Sequence, residues 1–279
     1  MSQRVISVHK IWDLTMFSFK DKTVVVVGGT SGINLGVAKS FASAGAKVAV
    51  ISRSQEKVDL AVASLQELGA EAIGASADVR DFDQLTEAIN GFAEKIGKFD
   101  VVVSGAAGNF PARAMDMSPN AFASVVNIDL IGTFHAMKAV YPHLQKPGAS
   151  VINISAPQSF IASEYQSHVS SAKAGVDMLT RSLAIEWGPE GIRVNSVIPG
   201  PIMDTGGMDK LAPTQGMQDA IVENVPLRRN GTSKDIGNCC LFLSSEFADY
   251  ISGVLLPVDG AWSLGGYSVS MNALQTAMQ

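Results

Sequence analysis

From residue 22 onward, short runs of β-branched residues alternate with longer amphipathic segments. Several short runs are apolar at every position, which is typical of strands buried on both faces of a sheet. The pattern predicts an α/β protein: a single Rossmann-type domain with a doubly wound parallel sheet of seven strands and helices on both faces. The expected strands are 23–27, 47–51, 71–76, 100–104, 150–154, 193–198 and 254–258, and the expected helices are 31–44, 54–68, 81–96, 118–145, 167–187 and 233–244.

The chain shows no repeat, low-complexity tract or proline-rich linker that would divide it into several domains. Its 279 residues are enough to bury a sizeable core. We therefore expect an N-terminal extension over residues 1–19 and one domain over residues 20–279.

Composition excludes several classes of function. The chain has 21 Lys and Arg against 26 Asp and Glu, a net charge of −5, which gives no general attraction to nucleic acid. The apolar runs are too short to cross a membrane. The two cysteines, Cys239 and Cys240, are adjacent, so a disulfide between them could not crosslink distant parts of the fold. The four histidines show no metal-ligand spacing. We expect no metal, no nucleic acid, no membrane segment and a reducing, cytoplasmic compartment.

A glycine-rich turn, Gly28-Gly29-Thr30-Ser31-Gly32-Ile33-Asn34-Leu35-Gly36, joins the first expected strand to the first expected helix. Glycines let the backbone turn sharply and approach a pyrophosphate, and the start of the helix supplies free N–H groups. The alternative is a glycine-rich connection without a ligand. We expect a dinucleotide here, and the residues expected to bind it are Gly28, Thr30, Ser31, Gly32 and Ile33.

The end of the second expected strand bears on the choice of nucleotide. A carboxylate at this place would hold the ribose 2′-hydroxyl of NAD, whereas an arginine suits the 2′-phosphate of NADP. The stretch contains Arg53 and Ser54 and no acid, which favours NADPH, although a solvated surface arginine is the alternative. Asp78 and Val79 follow the third strand, where an adenine ring could rest.

Residues 20–265 resemble the short-chain dehydrogenase/reductase superfamily. The glycine turn departs from the usual pattern at Asn34, normally Gly, and Ser104-Gly105-Ala106-Ala107 replaces the usual Asn-Asn-Ala-Gly. The resemblance implies cofactor contacts from Ala106, Lys173, Pro199, Gly200 and Ile202. The other motifs that carry the resemblance are Asp78-Val79, Ser171-Ala172-Lys173-Ala174-Gly175, Arg193-Val194-Asn195, Pro199-Gly200 and Val258-Asp259-Gly260.

The resemblance also implies a substrate lid over residues 201–230 and a homotetramer built through the two long helices, 118–145 and 167–187. The lid segment contains Gly206-Gly207 as a possible hinge and several methionines that could form an adaptable apolar wall. Arg228 and Arg229 could meet the phosphates of coenzyme A or simply be solvated.

The expected catalytic residues depart from the superfamily pattern of Ser, Tyr-x-x-x-Lys and Asn. Lys173 is present, but Val169 occupies the tyrosine position and Asp129 the asparagine position, and the serine position falls on Ala156, or on Pro157 if shifted by one. A ketone or alcohol substrate would lose the phenol that exchanges a proton with its oxygen.

The sequence around this gap is similar to the 2,4-dienoyl-CoA reductases, the peroxisomal type in particular. That similarity implies NADPH-dependent reduction of a conjugated double bond in an acyl thioester, with Lys173 stabilising the enolate and Asp129 orienting water or Lys173. The segments that carry the similarity are 106–110, 132–134, 168–173, 186–189 and 199–202.

Three alternatives remain open from the sequence. Tyr165, eight residues before Lys173, could be a displaced proton donor, as in an enoyl-thioester reductase, or could line an acyl pocket. His168 could donate a hydrogen bond to substrate or pack at the start of its helix. The chain could also be a catalytically silent nucleotide-binding or scaffold protein.

Overall fold

The computed structural model describes residues 17–203, 205, 212 and 214–265. In this part of the chain seven strands, all parallel, form one sheet in the order β3-β2-β1-β4-β5-β6-β7. This confirms the expected doubly wound topology. The strands are β1 (Thr23–Val27), β2 (Lys47–Ser52), β3 (Ala72–Ser76), β4 (Val101–Ser104), β5 (Ser150–Ile154), β6 (Arg193–Pro199) and β7 (Leu255–Val258).

Helices cover both faces of the sheet because successive strand residues point in opposite directions. In β1, Val24 and Val26 face one core with Phe41, whereas Val25 and Val27 face a second core. The helices are α1 (Gly32–Ser43), α2 (Gln55–Gln66), α3 (Phe82–Ile96), α4 (Pro119–Val126), α5 (Gly132–Val140), α6 (Ser167–Trp187), α7 (Gln215–Asn224) and α8 (Ser233–Ser244).

The segment 118–145, expected to be one α-helix, is helical over 119–143 but not α-helical throughout. A π-helical turn, Asn127–Ile131, separates α4 from α5, and a 3₁₀ turn, Tyr141–His143, follows α5. The apolar spacing conceals the π turn because such a turn inserts a single residue without interrupting the helix.

Two further segments differ in detail from the sequence expectation. Helix α7 lies within the segment expected to be a lid, and it begins where the Thr214 side chain accepts a hydrogen bond from the N–H of Met217. Phe19, assigned to the extension, is buried against Phe41 with ring centroids 5.0 Å apart. The packed domain therefore includes this residue.

No helix of the described residues has both the length and the apolar character needed to span a bilayer. The same residues contain no group of three or more His, Cys, Asp or Glu side chains arranged to hold a metal ion.

Candidate active site

Two adjoining cavities open at the carboxyl ends of the strands, near the point where β1 is flanked by β2 and β4. This is where doubly wound sheets bind their ligands. The first cavity measures about 260 Å³ and the second about 330 Å³. Asn34, Gly105 and Ala107 line both cavities, so the two form one continuous site.

The first cavity fits the phosphate-binding part of a dinucleotide. Gly28 adopts φ +78°, and a Cβ at this position would lie 2.8 Å from the amide nitrogen of Ala106. Only glycine therefore keeps the turn this close to the loop after β4. The expected cofactor residues found here are Gly28, Thr30, Ser31, Arg53, Ser54, Asp78, Val79 and Ala106. Gly32 lines neither cavity; it is the first residue of α1.

One end of the first cavity is basic. Arg53 is exposed at the end of β2, and Lys57, which the sequence reasoning missed, lines the same wall. Ser54 also has a structural task, since its hydroxyl accepts a hydrogen bond from the N–H of Lys57 and caps α2. Two cations beside one cavity suit an extra phosphate group.

The loop after β3 is held firmly where the adenine ring is expected. Arg80 Nη2 lies 2.6 Å from Asp78 Oδ2, and this hydrogen-bonded ion pair lowers the pKa of the Asp78 carboxyl. His135 Nδ1 lies 2.8 Å from the carbonyl oxygen of Val79. Because a carbonyl only accepts, Nδ1 carries the proton, and α5 anchors this loop through His135.

The second cavity contains a buried ion pair. Lys173 Nζ lies 3.4 Å from Asp129 Oδ2, and the two side chains are 6% and 1% exposed. The ammonium also donates to the carbonyl oxygen of Ile154 at 3.0 Å. The N–H of Gly108 donates to Asp129 Oδ1 at 2.7 Å. The structure therefore brings together two of the three expected catalytic residues, at the bottom of a site lined largely by apolar groups.

The π-helical turn accounts for the orientation of Asp129, its third residue. The backbone carbonyl of Asp129 accepts a hydrogen bond from Thr133 Oγ1 at 2.6 Å. The turn is thus stabilised by a side chain of α5 while the Asp129 carboxylate projects toward α6. Such turns are frequent at functional sites.

No tyrosine of the described residues lines the second cavity. Val169, at the position of the usual phenol, is buried in its wall, and Ala156 lines it at the position of the usual serine. Tyr165 lies outside both cavities, at φ +62°, and its carbonyl accepts a hydrogen bond from Ala112 N at 3.0 Å.

His168 is completely buried and lines neither cavity. Its ring packs against Phe110 with centroids 4.5 Å apart. Burial lowers the pKa of His168, so the ring is neutral at neutral pH.

Ile33, Lys173, Pro199, Gly200 and Ile202 line the second cavity, where the nicotinamide end of a dinucleotide would lie. The structure adds Ser155 and Trp262, which the sequence reasoning missed. Ser155 directly precedes Ala156, the expected serine position. A serine one residue before that position could have been recognised in the sequence as a candidate site residue. Trp262 is distant in sequence, and nothing in its immediate context marks it as part of the site.

The segment expected to be a lid is described only in part, and Gly206-Gly207 lie outside the described residues. Arg229 forms two hydrogen bonds with Asp235, at 2.8 and 2.9 Å, so this guanidinium is already engaged. The Arg228 guanidinium donates to the carbonyl of Glu223. In this structure both exposed guanidiniums therefore contact groups of the protein itself.

Fold and site define a dinucleotide-binding α/β oxidoreductase. Residues 27–263 match the family model described as Enoyl-(Acyl carrier protein) reductase, and the chain belongs to this branch of the short-chain dehydrogenase/reductase superfamily.

Similar proteins agree with this assignment. The chain is 41% identical over 251 residues to a peroxisomal 2,4-dienoyl-CoA reductase of Arabidopsis thaliana, covering 86% of this chain and 84% of that protein. It is 35% identical to a probable 2,4-dienoyl-CoA reductase of Bacillus subtilis, covering 88% and 98% of the two chains. The crystal structure of a short chain dehydrogenase from Bacillus anthracis superposes with a TM-score of 0.79 at 34% identity, over 88% and 98% of the two chains.

Proposed function

We propose that the protein reduces a conjugated double bond of a 2,4-dienoyl-CoA, using NADPH. The observation that carries this proposal is the buried Asp129–Lys173 pair in a cavity where Val169 replaces the phenol. A ketone reductase needs an acid beside the carbonyl oxygen. Reduction of a conjugated thioester instead needs a positive charge near the thioester oxygen, which Lys173 can provide, and a proton for carbon, which a water oriented by Asp129 can deliver.

The cofactor residues and the pair suit a reaction in two stages. Ile33, Pro199 and Ile202 would hold the reduced nicotinamide in the second cavity, where it would supply a hydride for the δ carbon of the dienoyl chain. The negative charge then resides on the thioester oxygen as a dienolate, and the Lys173 ammonium stabilises it electrostatically. Because both side chains are buried, the Lys173 charge is screened less by water than a surface charge, and the Asp129 carboxylate balances part of it.

Protonation of the dienolate completes the reaction. A proton added at the α carbon leaves a 3-enoyl product, whereas one added at the γ carbon leaves a 2-enoyl product. We propose addition at the α carbon, since Lys173 holds the adjoining oxygen and Asp129 orients the water that delivers the proton. The Arabidopsis relative is named as (3E)-enoyl-CoA-producing and the Bacillus subtilis relative as (2E)-enoyl-CoA-producing, so the product itself tests the proposal.

The test is NADPH oxidation by the purified protein with a 2,4-dienoyl-CoA, a 2-enoyl-CoA and a 3-ketoacyl thioester. We expect turnover with the dienoyl substrate alone and a 3-enoyl product identified by NMR. Turnover of the 2-enoyl substrate would favour an enoyl reductase, and turnover of the ketoacyl thioester would overturn the proposal. Binding of NADPH without turnover of any substrate would favour a silent nucleotide-binding protein.

We further propose a homotetramer that uses the surfaces of α5 and α6. Phe134, Met178 and Ile185 on these helices expose 46%, 58% and 79% of their area, and a second copy of the chain packed here would cover them. Light scattering on the purified protein tests the assembly.

The free thiols of Cys239 and Cys240 support a reducing compartment such as the cytoplasm. Cell fractionation tests this location against the peroxisomal one that appears in the name of the Arabidopsis relative.

A further inference from the structure

Asn34 and Gly105 are contacting positions that both depart from the superfamily pattern, in opposite directions. The pattern has glycine at position 34 and asparagine at position 105, whereas this chain has asparagine at 34 and glycine at 105.

The geometry explains why the two changes belong together. Asn34 Nδ2 donates a hydrogen bond to the carbonyl oxygen of Gly105 at 2.7 Å. A Cβ at position 105 would lie 2.3 Å from Asn34 Oδ1 and 2.5 Å from Nδ2. No side chain other than hydrogen therefore fits at 105 while the Asn34 amide keeps its place.

The Asn34 amide lies at the boundary between the two cavities and lines both of them. The residue is only 8% exposed, and its Oδ1 has no hydrogen-bond partner among the described residues. A buried acceptor without a donor destabilises the structure. Oδ1 is closed off in this structure, so the amide would have to turn before a donor of a bound ligand could satisfy it.

We propose that Asn34 is a positioning and binding residue for the nicotinamide half of the cofactor. Its Oδ1 accepts a hydrogen bond from that half, whose ribose hydroxyls and carboxamide are donors. Its Nδ2 joins the glycine turn to the loop after β4. This inference rests on the proposed cofactor.

The hydrogen bond from Asn34 Nδ2 to Gly105 also links Asn34 to the catalytic pair. The loop held at Gly105 continues to Gly108, whose N–H fixes the Asp129 carboxylate at 2.7 Å. A shift of this loop would therefore move Asp129 relative to Lys173. Loss of the Asn34 amide should lower turnover as well as cofactor affinity.

Binding measurements on the free protein separate this role from general damage. We compare NADPH with adenosine 2′,5′-bisphosphate, which lacks the nicotinamide half, by calorimetry on the wild type and on Asn34→Leu. We expect Asn34→Leu to weaken NADPH binding about tenfold, the scale of one hydrogen bond. Binding of the bisphosphate should stay within about twofold, because its phosphates meet other residues.

An exchange experiment tests the pairing of the two positions. Asn34→Gly removes the amide, Gly105→Asn alone creates a clash, and the double variant Asn34→Gly/Gly105→Asn restores an amide from the other side. We expect both single variants to lose NADPH affinity and thermal stability and the double variant to recover a large part of each. A double variant no better than the worse single variant would contradict the exchange.

The outcomes also separate this inference from the proposed function. If the wild type binds neither ligand, the proposed cofactor fails and this inference fails with it. If the wild type binds both and Asn34→Leu binds both equally well, only the role of Asn34 is overturned. Equal weakening of both ligands would assign Asn34 to fold maintenance and would also overturn its binding role.

Discussion

Asp129 and Lys173 form an ion pair, Oδ2 to Nζ 3.4 Å, that is almost completely shielded from water. Each residue has a second, backbone anchor: the N–H of Gly108 for Asp129 and the carbonyl of Ile154 for Lys173. Removing one member would leave a buried charge without its counter-ion, which typically costs about 3–5 kcal/mol. The pair is therefore one electrostatic unit, and its members should not act independently.

The first prediction concerns this unit. We expect Asp129→Asn and Lys173→Met each to lower turnover on a dienoyl-CoA about a hundredfold or more, and the double variant to be no worse than the worse single variant. Lys173→Met should also weaken NADPH binding. The measurements are steady-state turnover and NADPH affinity, with Lys95→Met, at an exposed lysine of α3 outside both cavities, as the control. Losses that simply multiply in the double variant would show two independent roles.

The second prediction concerns the cofactor. Arg53 is exposed at the basic end of the first cavity, where the 2′-phosphate is expected. We expect Arg53→Ala to weaken NADPH binding by about 1.5–3 kcal/mol, the value of a hydrogen bond to a charged group, and to leave NADH binding nearly unchanged. Arg113→Ala, at an exposed arginine that lines neither cavity, is the matched control. Equal losses for the two nucleotides would refute the assignment.

The sequence was sufficient to predict the sheet and most of the residues that line the candidate site, because both depend on local patterns. Buried strands such as Val24–Val27 are apolar throughout, and the glycine turn directly follows β1. The observed strand ends differ from the expected ones by at most one residue. Such differences are usual because hydrogen bonding weakens gradually at the ends of an element. The parallel order then places all the loops of the site at one edge.

Contacts between distant segments could not be predicted in the same way. The hydrogen bond from Gly108 to Asp129 uses a backbone N–H, which leaves no mark in the side-chain pattern. The π turn before α5 and the presence of Trp262 in the second cavity likewise depend on tertiary packing. The sequence shows that Asn34 departs from the glycine pattern. Only the structure shows that its side chain donates a hydrogen bond to Gly105.

The third prediction concerns the position of the usual phenol. Val169 is 3% exposed and lines the second cavity beside Ala156. We expect Val169→Tyr to show no useful reduction of an acetoacetyl thioester, because the new phenol would lack its serine partner and would occupy acyl space. It should also lose dienoyl-CoA turnover, whereas Val169→Ile, which keeps an apolar wall, should retain more of it. Both activities are followed by NADPH oxidation. Efficient acetoacetyl reduction by Val169→Tyr would show that a phenol suffices without the serine.

The last prediction decides between Asp129 and Tyr165 as the source of proton transfer. Tyr165 lies outside both cavities, and Tyr165→Phe removes only its hydroxyl while keeping the ring. If the Asp129–Lys173 pair carries the relay, this variant should change turnover by less than about tenfold, or 1.4 kcal/mol of barrier. If Tyr165 is the proton donor, the loss should reach about a hundredfold or more. Tyr250→Phe, at a fully exposed tyrosine, controls for unspecific effects of losing a hydroxyl. An active Asp129→Asn beside an inactive Tyr165→Phe would transfer the catalytic role to Tyr165 and favour an enoyl-thioester reductase.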